Sequence, residues 1–259
     1  MVNSKVLAKL RNGGFVKVTC VGRVNDSWLP ELIGRIGFDA LWYDLEHQTG
    51  PDHAANAFAL ACRASDMDLM VRVRKAEYGS PMRMLEAGAN GLMVPHIRSA
   101  EEARQWVEWC RFPPLGKRGF DGAGADADYM LAGPVEHMRH ANEEVFLTFQ
   151  IEDREALDRI GDIAAVPGYD VLFIGPGDLS ISLGVPFEIN HPSMQQAIDA
   201  VARAAAAHGK FWGIPAGSPA AAQAYLERGA RFIAYGSDHV VLLNGFRNLY
   251  RDLSELKLD

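Results

Sequence analysis

Short apolar runs rich in β-branched and aromatic residues recur along the whole chain. They are FVKVTCVG (15–22), ALWYDLE (40–46), DLMVRVR (68–74), GLMVPHI (91–97), VFLTFQIE (145–152), VLFIGP (171–176), KFWGIPA (210–216) and RFIAYGS (231–237). A run of this length, bounded by turn residues, predicts a buried strand. Between the runs lie segments with helical spacing of apolar positions, among them WLPELIGRIG, DHAANAFALACRAS and SMQQAIDAVARAAAAHG. Several close on Gly, the residue that tolerates the left-handed backbone of a helix end. Continuous apolar strands alternating with helices predict a parallel sheet covered on its outer face. Eight such units close naturally into a (β/α)8 TIM barrel, here one α/β domain over residues 1–259. An open doubly wound sheet would want a Gly-rich phosphate turn after the first strand, and VGRVNDSW has no GxGxxG. Segment 111–141, with RFPPLGKRGFDGAGADADYM, is too long for a simple connection and predicts a functional loop or a partner contact. The tail HVVLLNGFRNLYRDLSEL predicts a last amphipathic helix.

Composition narrows the partners. Apolar residues make up 48% and charged residues 23%, enough for a sizeable core and against disorder. The net charge of −7 has the wrong sign for a general nucleic-acid surface. The three cysteines, Cys20, Cys62 and Cys110, are odd in number, far apart and in no CxxC, as expected of reduced intracellular thiols. No apolar run approaches the ~20 residues of a membrane span, and MVNSKVLAKLRNGG is no secretory signal. The expectation is a cytoplasmic protein with no membrane partner.

In a parallel barrel the chemistry sits at the C-terminal ends of the strands. The second run ends in Asp44-Leu45-Glu46-His47, and the third carries Arg72 and Arg74. The fourth ends in Pro95-His96, the fifth in Gln150 and Glu152, and the turn after the sixth carries Asp178. Gln150 and Glu152 are two apart on a strand and so share a face, opposite Phe149 and Ile151. An inward carboxylate in a partly dry site is costly unless it is paired or bound to a cation. Glu152 and Asp178, from neighbouring strands, make an oxygen pair suited to Mg2+ or Mn2+ with coordination positions left open. The other reading pairs each acid with an arginine. Gly175-Pro176-Gly177 offers backbone N–H groups to a substrate carboxylate.

Six segments together resemble the HpcH/HpaI aldolases: DLEHQ (44–48), Arg72 on the third strand, LEAGANGLMVPHI (85–97), FPPLGKRG (112–119), FQIED (149–153) and FIGPGDLS (173–180). That family comprises metal-dependent class II pyruvate aldolases on a (β/α)8 barrel, and the resemblance runs over roughly residues 5–245. It implies reversible cleavage of a 4-hydroxy-2-oxo acid to pyruvate and an aldehyde through a metal-bound enolate. Glu152 and Asp178 would hold the cation, Mg2+, Mn2+ or Co2+. His47 would be the base, and Arg72 would stabilise the enolate oxygen. Gln150, Gly177, Asp178 and Arg72 would contact the substrate. Gly177 stands where the family often has Ala. Glu86 stands where well-studied members have an Asp that supports the histidine, and Asp44 is a second candidate for that support. The loop 112–128, with Lys117 and Arg118, would reach a neighbouring subunit's site in a homo-oligomer, a trimer or hexamer, whose last helix exchanges between subunits. His96 would line the pocket, and Ala216 and Ser218 would meet the aldehyde half. The other histidines, His137 among them, read as surface or capping residues. The alternatives are a CoA-ester lyase of the citrate-lyase-like type, a non-catalytic barrel that binds an oxo acid, and decarboxylation of oxaloacetate through the same enolate.

Overall fold

The computed structural model describes residues 1–48 and 51–257; the last two residues of the expected domain lie outside the described residues. Each apolar run contains one strand: β1 (Val16–Val21), β2 (Ala40–Asp44), β3 (Asp68–Arg72), β4 (Gly91–Val94), β5 (Phe146–Ile151), β6 (Val171–Ile174), β7 (Phe211–Ala216) and β8 (Phe232–Ser237). The strands are parallel, hydrogen-bond in chain order and close where β8 pairs with β1. This is the expected (β/α)8 barrel.

Strand parity sorts the side chains into two shells. Val18, Trp42, Met70, Met93, Phe146, Phe173 and Phe232 fill the barrel. Leu41, Tyr43, Leu69, Val71, Phe149, Ile151 and Ile174 pack outward against the helices. Gly91 makes room inside the barrel, because a Cβ there would lie 2.2 Å from the Phe146 ring. The floor is closed by the helix Lys5–Arg11, whose Val6, Leu7 and Leu10 join the inner cluster. Buried Asp68, at the start of β3, pins that helix by accepting from Ser4 Oγ at 2.6 Å and from the Val6 N–H at 2.9 Å. With the floor plugged and the interior packed, only the strand C-termini are left to form a site.

At that end Asp238, just past β8, fastens the first loop. Its Oδ2 accepts from the N–H groups of Gly22, Arg23 and Val24 at 3.2, 2.7 and 2.8 Å. The helix it begins, Asp238–Ser254, buries no other residue. Phe246, Leu249, Tyr250 and Leu253 are each more than half exposed, the most open being Tyr250 at 76%. The tail is helical as expected, but its apolar side chains do not pack on the barrel.

Segment 111–141 is tied to the end of the helix Ala100–Cys110 by the Lys117 N–H, which donates to the Glu108 carbonyl at 2.7 Å, and it includes the 3-10 turn Ala125–Met130. Arg118, expected to be available to a substrate, is 4% exposed, lies over the Phe112 ring and pairs with Asp126. Lys117 is exposed and pairs with Glu108 at 3.0 Å. His137, expected at the surface, is buried edge-on against Phe112. The loop is therefore held by its own polar core, a residue-level outcome that composition did not reveal.

Candidate active site at the barrel mouth

Asp44 and Arg72 stand opposite each other in the β2–β3 register. The Arg72 guanidinium forks onto Asp44, Nε to Oδ1 at 3.0 Å and Nη2 to Oδ2 at 2.7 Å. Its carbon lies 4.7 Å above the Trp42 ring, the top of the barrel filling. The remaining nitrogen, Nη1, lies 3.4 Å from Gln150 Oε1 and 3.0 Å from Glu46 Oε2. Asp44 Oδ1 also accepts from the N–H groups of Glu46 and His47 at 3.0 and 3.4 Å. Burial raises the Asp44 carboxyl, but the Arg72 hydrogen bonds and charge and the two N–H groups outweigh it and hold it below its ordinary value. Asp44 thus organises Arg72 and the turn that carries His47; it makes no contact with the imidazole ring.

The His47 side chain is 57% exposed, and its Nε2 lies 3.7 Å from Glu46 Oε2. Glu46 stands between two imidazoles, its Oε1 being 3.7 Å from His96 Nε2. Glu46 Oε2 is buried and forms no well-aligned hydrogen bond, despite the nearby Arg72 nitrogen.

Glu152 is 1% exposed. Gln150 Nε2 donates to its Oε2 at 2.6 Å, and the His96 N–H donates to its Oε1 at 2.8 Å. Burial is the main cause that lifts this carboxyl to about 7, with His96 drawing it down, Glu46 pushing it up and Arg72 drawing it down. The expected parity holds, with Gln150 and Glu152 both turned to the mouth and in contact with each other. The turn after β6 is pressed onto them. A Cβ at Gly175 would lie 2.3 Å from Glu152 Oε2 and 2.6 Å from Gln150 Nε2, so a side chain here would displace the ends of both residues.

Asp178 lies in the first turn of the helix Pro176–Ser182, exposed, and among the described residues its side chain makes no hydrogen bond or ion pair. Gly177 is half-buried, and its carbonyl accepts from Ser180 Oγ at 2.6 Å. Glu86, at the end of the helix Gly79–Glu86, has Arg118, Asp126 and Asp121 as its charged neighbours and does not meet His47 within the chain. Burial lifts its carboxyl above the ordinary value, with Arg118 opposing and the two aspartates adding to the rise. Ala216 and Ser218 border a cleft shared with Pro176, Pro215 and Tyr225. Cys20 sits below the mouth, where burial pushes its thiol up to about 12, followed by the Asp44 charge, which adds to the rise.

One donor set was not anticipated. Glu46, His96 and Glu152 each offer a ligand atom, and these atoms lie within 4.8 Å of one another; Asp178 is not among them. The sequence signals are present, as Glu46 lies in DLEH and His96 ends a strand run, but neither position by itself marks a ligand. The donors suit a divalent cation. Burial works against the charge of the Glu152 carboxylate, and Glu46 Oε2 is an unfilled buried acceptor in the same cluster.

A closed parallel barrel with carboxylates, imidazoles and a forked arginine gathered at its strand ends belongs to the class of barrel enzymes that work on small polar molecules at the open face. More narrowly, the chain belongs to the HpcH/HpaI aldolase/citrate lyase family, whose sequence profile matches residues 25–245. It is an aldolase, a carbon–carbon lyase. It is 33% identical over 240 residues to the 5-keto-4-deoxy-D-glucarate aldolase of Shigella boydii, covering 93% of this chain and 91% of that one. It is 34% identical over 232 residues to the hydroxypyruvate/pyruvate aldolase of Roseobacter denitrificans, covering 87% and 88%. The crystal structure of an HpcH/HpaI aldolase from Desulfitobacterium hafniense superposes with a TM-score of 0.92 at 29% identity, covering 97% of each chain.

Proposed function

We propose that this protein is a divalent-metal-dependent pyruvate aldolase that reversibly cleaves a 4-hydroxy-2-oxo acid into pyruvate and an aldehyde. The observation that carries this is the buried Glu152 carboxylate with two further donor side chains within 4.8 Å, at the open end of the barrel. Glu152 and Asp178 are the proposed protein ligands. A cation there supplies Lewis acidity toward the oxygens of a 2-oxo acid.

The chain's own residues divide the remaining work. Arg72, locked on one edge by Asp44, keeps Nη1 facing the mouth and donates to the oxygen on which charge develops. His47, solvent-accessible and free of a strong partner, takes the proton from the 4-hydroxyl in cleavage and returns it in synthesis. Gln150 bridges Arg72 and Glu152, fixing the spacing between cationic donor and carboxylate. Gly177 offers its backbone to the substrate carboxylate. Asp44 supports His47 through the turn it holds, whereas Glu86 faces Arg118, Asp126 and Asp121.

Assembly into a homo-oligomer, with the last helix exchanged between subunits, is supported by the exposed apolar residues of Asp238–Ser254. A cytoplasmic location fits three unbridged thiols, and among the described residues no helix is long and apolar enough to cross a membrane.

The test is pyruvate release from a panel of 4-hydroxy-2-oxo acids, coupled to lactate dehydrogenase. Cleavage of at least one member is expected, lost on chelation and restored by Mg2+, Mn2+ or Co2+. Cleavage indifferent to chelation, or turnover of acyl-CoA esters in place of hydroxy-oxo acids, contradicts the proposal.

A further inference from the structure

The His47 imidazole has little to hold it directly. Its side chain is 57% exposed, its Nε2 lies 3.7 Å from Glu46, and among the described residues its ring makes no hydrogen bond. Its placement therefore comes from the backbone that carries it. On one side that backbone is held by Asp44 Oδ1, which accepts from the N–H groups of Glu46 and His47 at 3.0 and 3.4 Å. On the other side stands Gln48, half-buried and resting on Gly22. A Cβ at Gly22 would lie 2.6 Å from Gln48 Cγ and 3.0 Å from its Cδ, so only a glycine admits this approach without moving Gln48. Gly22 directly follows β1, and the turn that carries His47 thus leans on the first loop.

The first loop is in turn held from the far end of the chain. Val18 opposes Ala234 but Cys20 opposes Ser237, so β8 carries one residue more than β1. Gly236 absorbs the extra residue with a left-handed φ of 74°. Asp238 follows, 9% exposed, level with the end of β1. Its Oδ2 accepts from the N–H groups of Gly22, Arg23 and Val24, and its Oδ1 accepts from the His239 N–H at 2.8 Å. Three donors converging on one carboxylate oxygen fix the loop backbone as a unit, since charge-assisted hydrogen bonds are about twice as strong as neutral ones. The loop is also tied to β2, where Tyr43 Oη donates to Asn25 Oδ1 at 3.3 Å.

We propose that Asp238 is a positioning residue for His47. It holds Gly22 as the surface on which Gln48 bears, and Gln48 fixes the turn that aims the imidazole. This rests on the reading of His47 as the base and adds a residue that touches neither substrate nor reacting atoms. Arg72 and Glu152 are held by other partners, Asp44 and Gln150. Loosening the first loop therefore disturbs proton transfer at His47 and leaves the binding of the oxo acid in place. A displacement of about 1 Å in a catalytic group is enough to cost about 100-fold in rate.

The test is a double-mutant cycle on the cleavage of a 4-hydroxy-2-oxo acid that the wild type turns over. It compares Asp238→Asn, His47→Gln and the double variant, with the slow variants measured at high enzyme concentration. In Asp238→Asn the amide must turn its NH2 toward one set of N–H groups, so the loop loses part of its anchor. Its kcat should fall about 10- to 100-fold with KM within about threefold. On the His47→Gln background the same change should cost less than about twofold, because the route through the imidazole is already cut. Gly22→Ala, which displaces Gln48 and leaves the Asp238 hydrogen bonds in place, should give the same pattern in both backgrounds. If Asp238→Asn fails to fold by circular dichroism, Gly22→Ala decides by the same criteria. An equal loss in both backgrounds, a rise in KM with kcat unchanged, or wild-type kcat in the single variants overturns the proposal and leaves the aldolase reading standing. Wild-type kcat in His47→Gln removes the base and the proposal with it.

Discussion

Arg72 and Asp44 show what a single pair decides in this site. Both are nearly fully buried, and each uses its charge on the other. Breaking such a pair from one side leaves an uncompensated buried charge, which costs about 3–5 kcal/mol. Asp44→Asn should therefore lower stability in urea unfolding by roughly 3 kcal/mol at neutral pH. The sign with pH follows from Asp44 being held below its ordinary 3.8: its contribution is present above that value and fades as pH falls through the depressed one. The difference between wild type and Asp44→Asn should shrink in acid, and a difference that grows there contradicts the pairing. Arg72→Lys keeps the charge but cannot fork, so its stability loss should be smaller while kcat falls about 100-fold. Arg72 and Asp44 were both legible in the sequence as mouth residues, yet their partnership was not. It depends on the β2–β3 register, which sets residue 44 beside residue 72. Spacing along the chain carries no information about that register, so Asp44 read as a candidate partner for His47.

Strands were the most legible elements, because a continuous apolar run has few other fates in an alternating α/β chain. Two strands at the site end well short of their runs, β4 at Val94 against a run reaching residue 97 and β6 at Ile174 against 176. The cause is the site itself. His96 turns left-handed, and Gly175 must bend close over Glu152, so pairing stops where the chemistry begins. Helix 238–254 was equally legible as a helix, but its packing was not. Helical spacing shows that a face is apolar and leaves open which body covers it. Val241, Phe246, Leu249 and Leu253 are exposed by 66, 67, 59 and 68%. Exposed apolar residues gathered on one helix fit the proposed contact between subunits. Phe246→Glu with Leu249→Glu should shift the protein to a smaller species in sedimentation velocity, with the far-ultraviolet dichroism unchanged. A wild type that already sediments as a monomer contradicts this.

The barrel as a whole turns scattered sequence segments into one site by closing. Counting eight apolar runs was enough to expect closure, and closure puts β2, β3, β4, β5 and β6 side by side at the mouth. That order brings residues 44–47, 72, 96, 150 and 152 within reach of one another. It also makes the first and last parts of the chain neighbours, so Asp238 can hold the loop at Gly22–Val24. The central claim is that a cation at Glu152 makes pyruvate easy to deprotonate. Its most direct test is the exchange of pyruvate methyl hydrogens with deuterated water, read by mass spectrometry after a chelating quench. With Mn2+ the wild type should load up to three deuterons, and it should load none after metal removal or in Glu152→Gln. Exchange at the wild-type rate in metal-free protein, or in Glu152→Gln, would contradict the account.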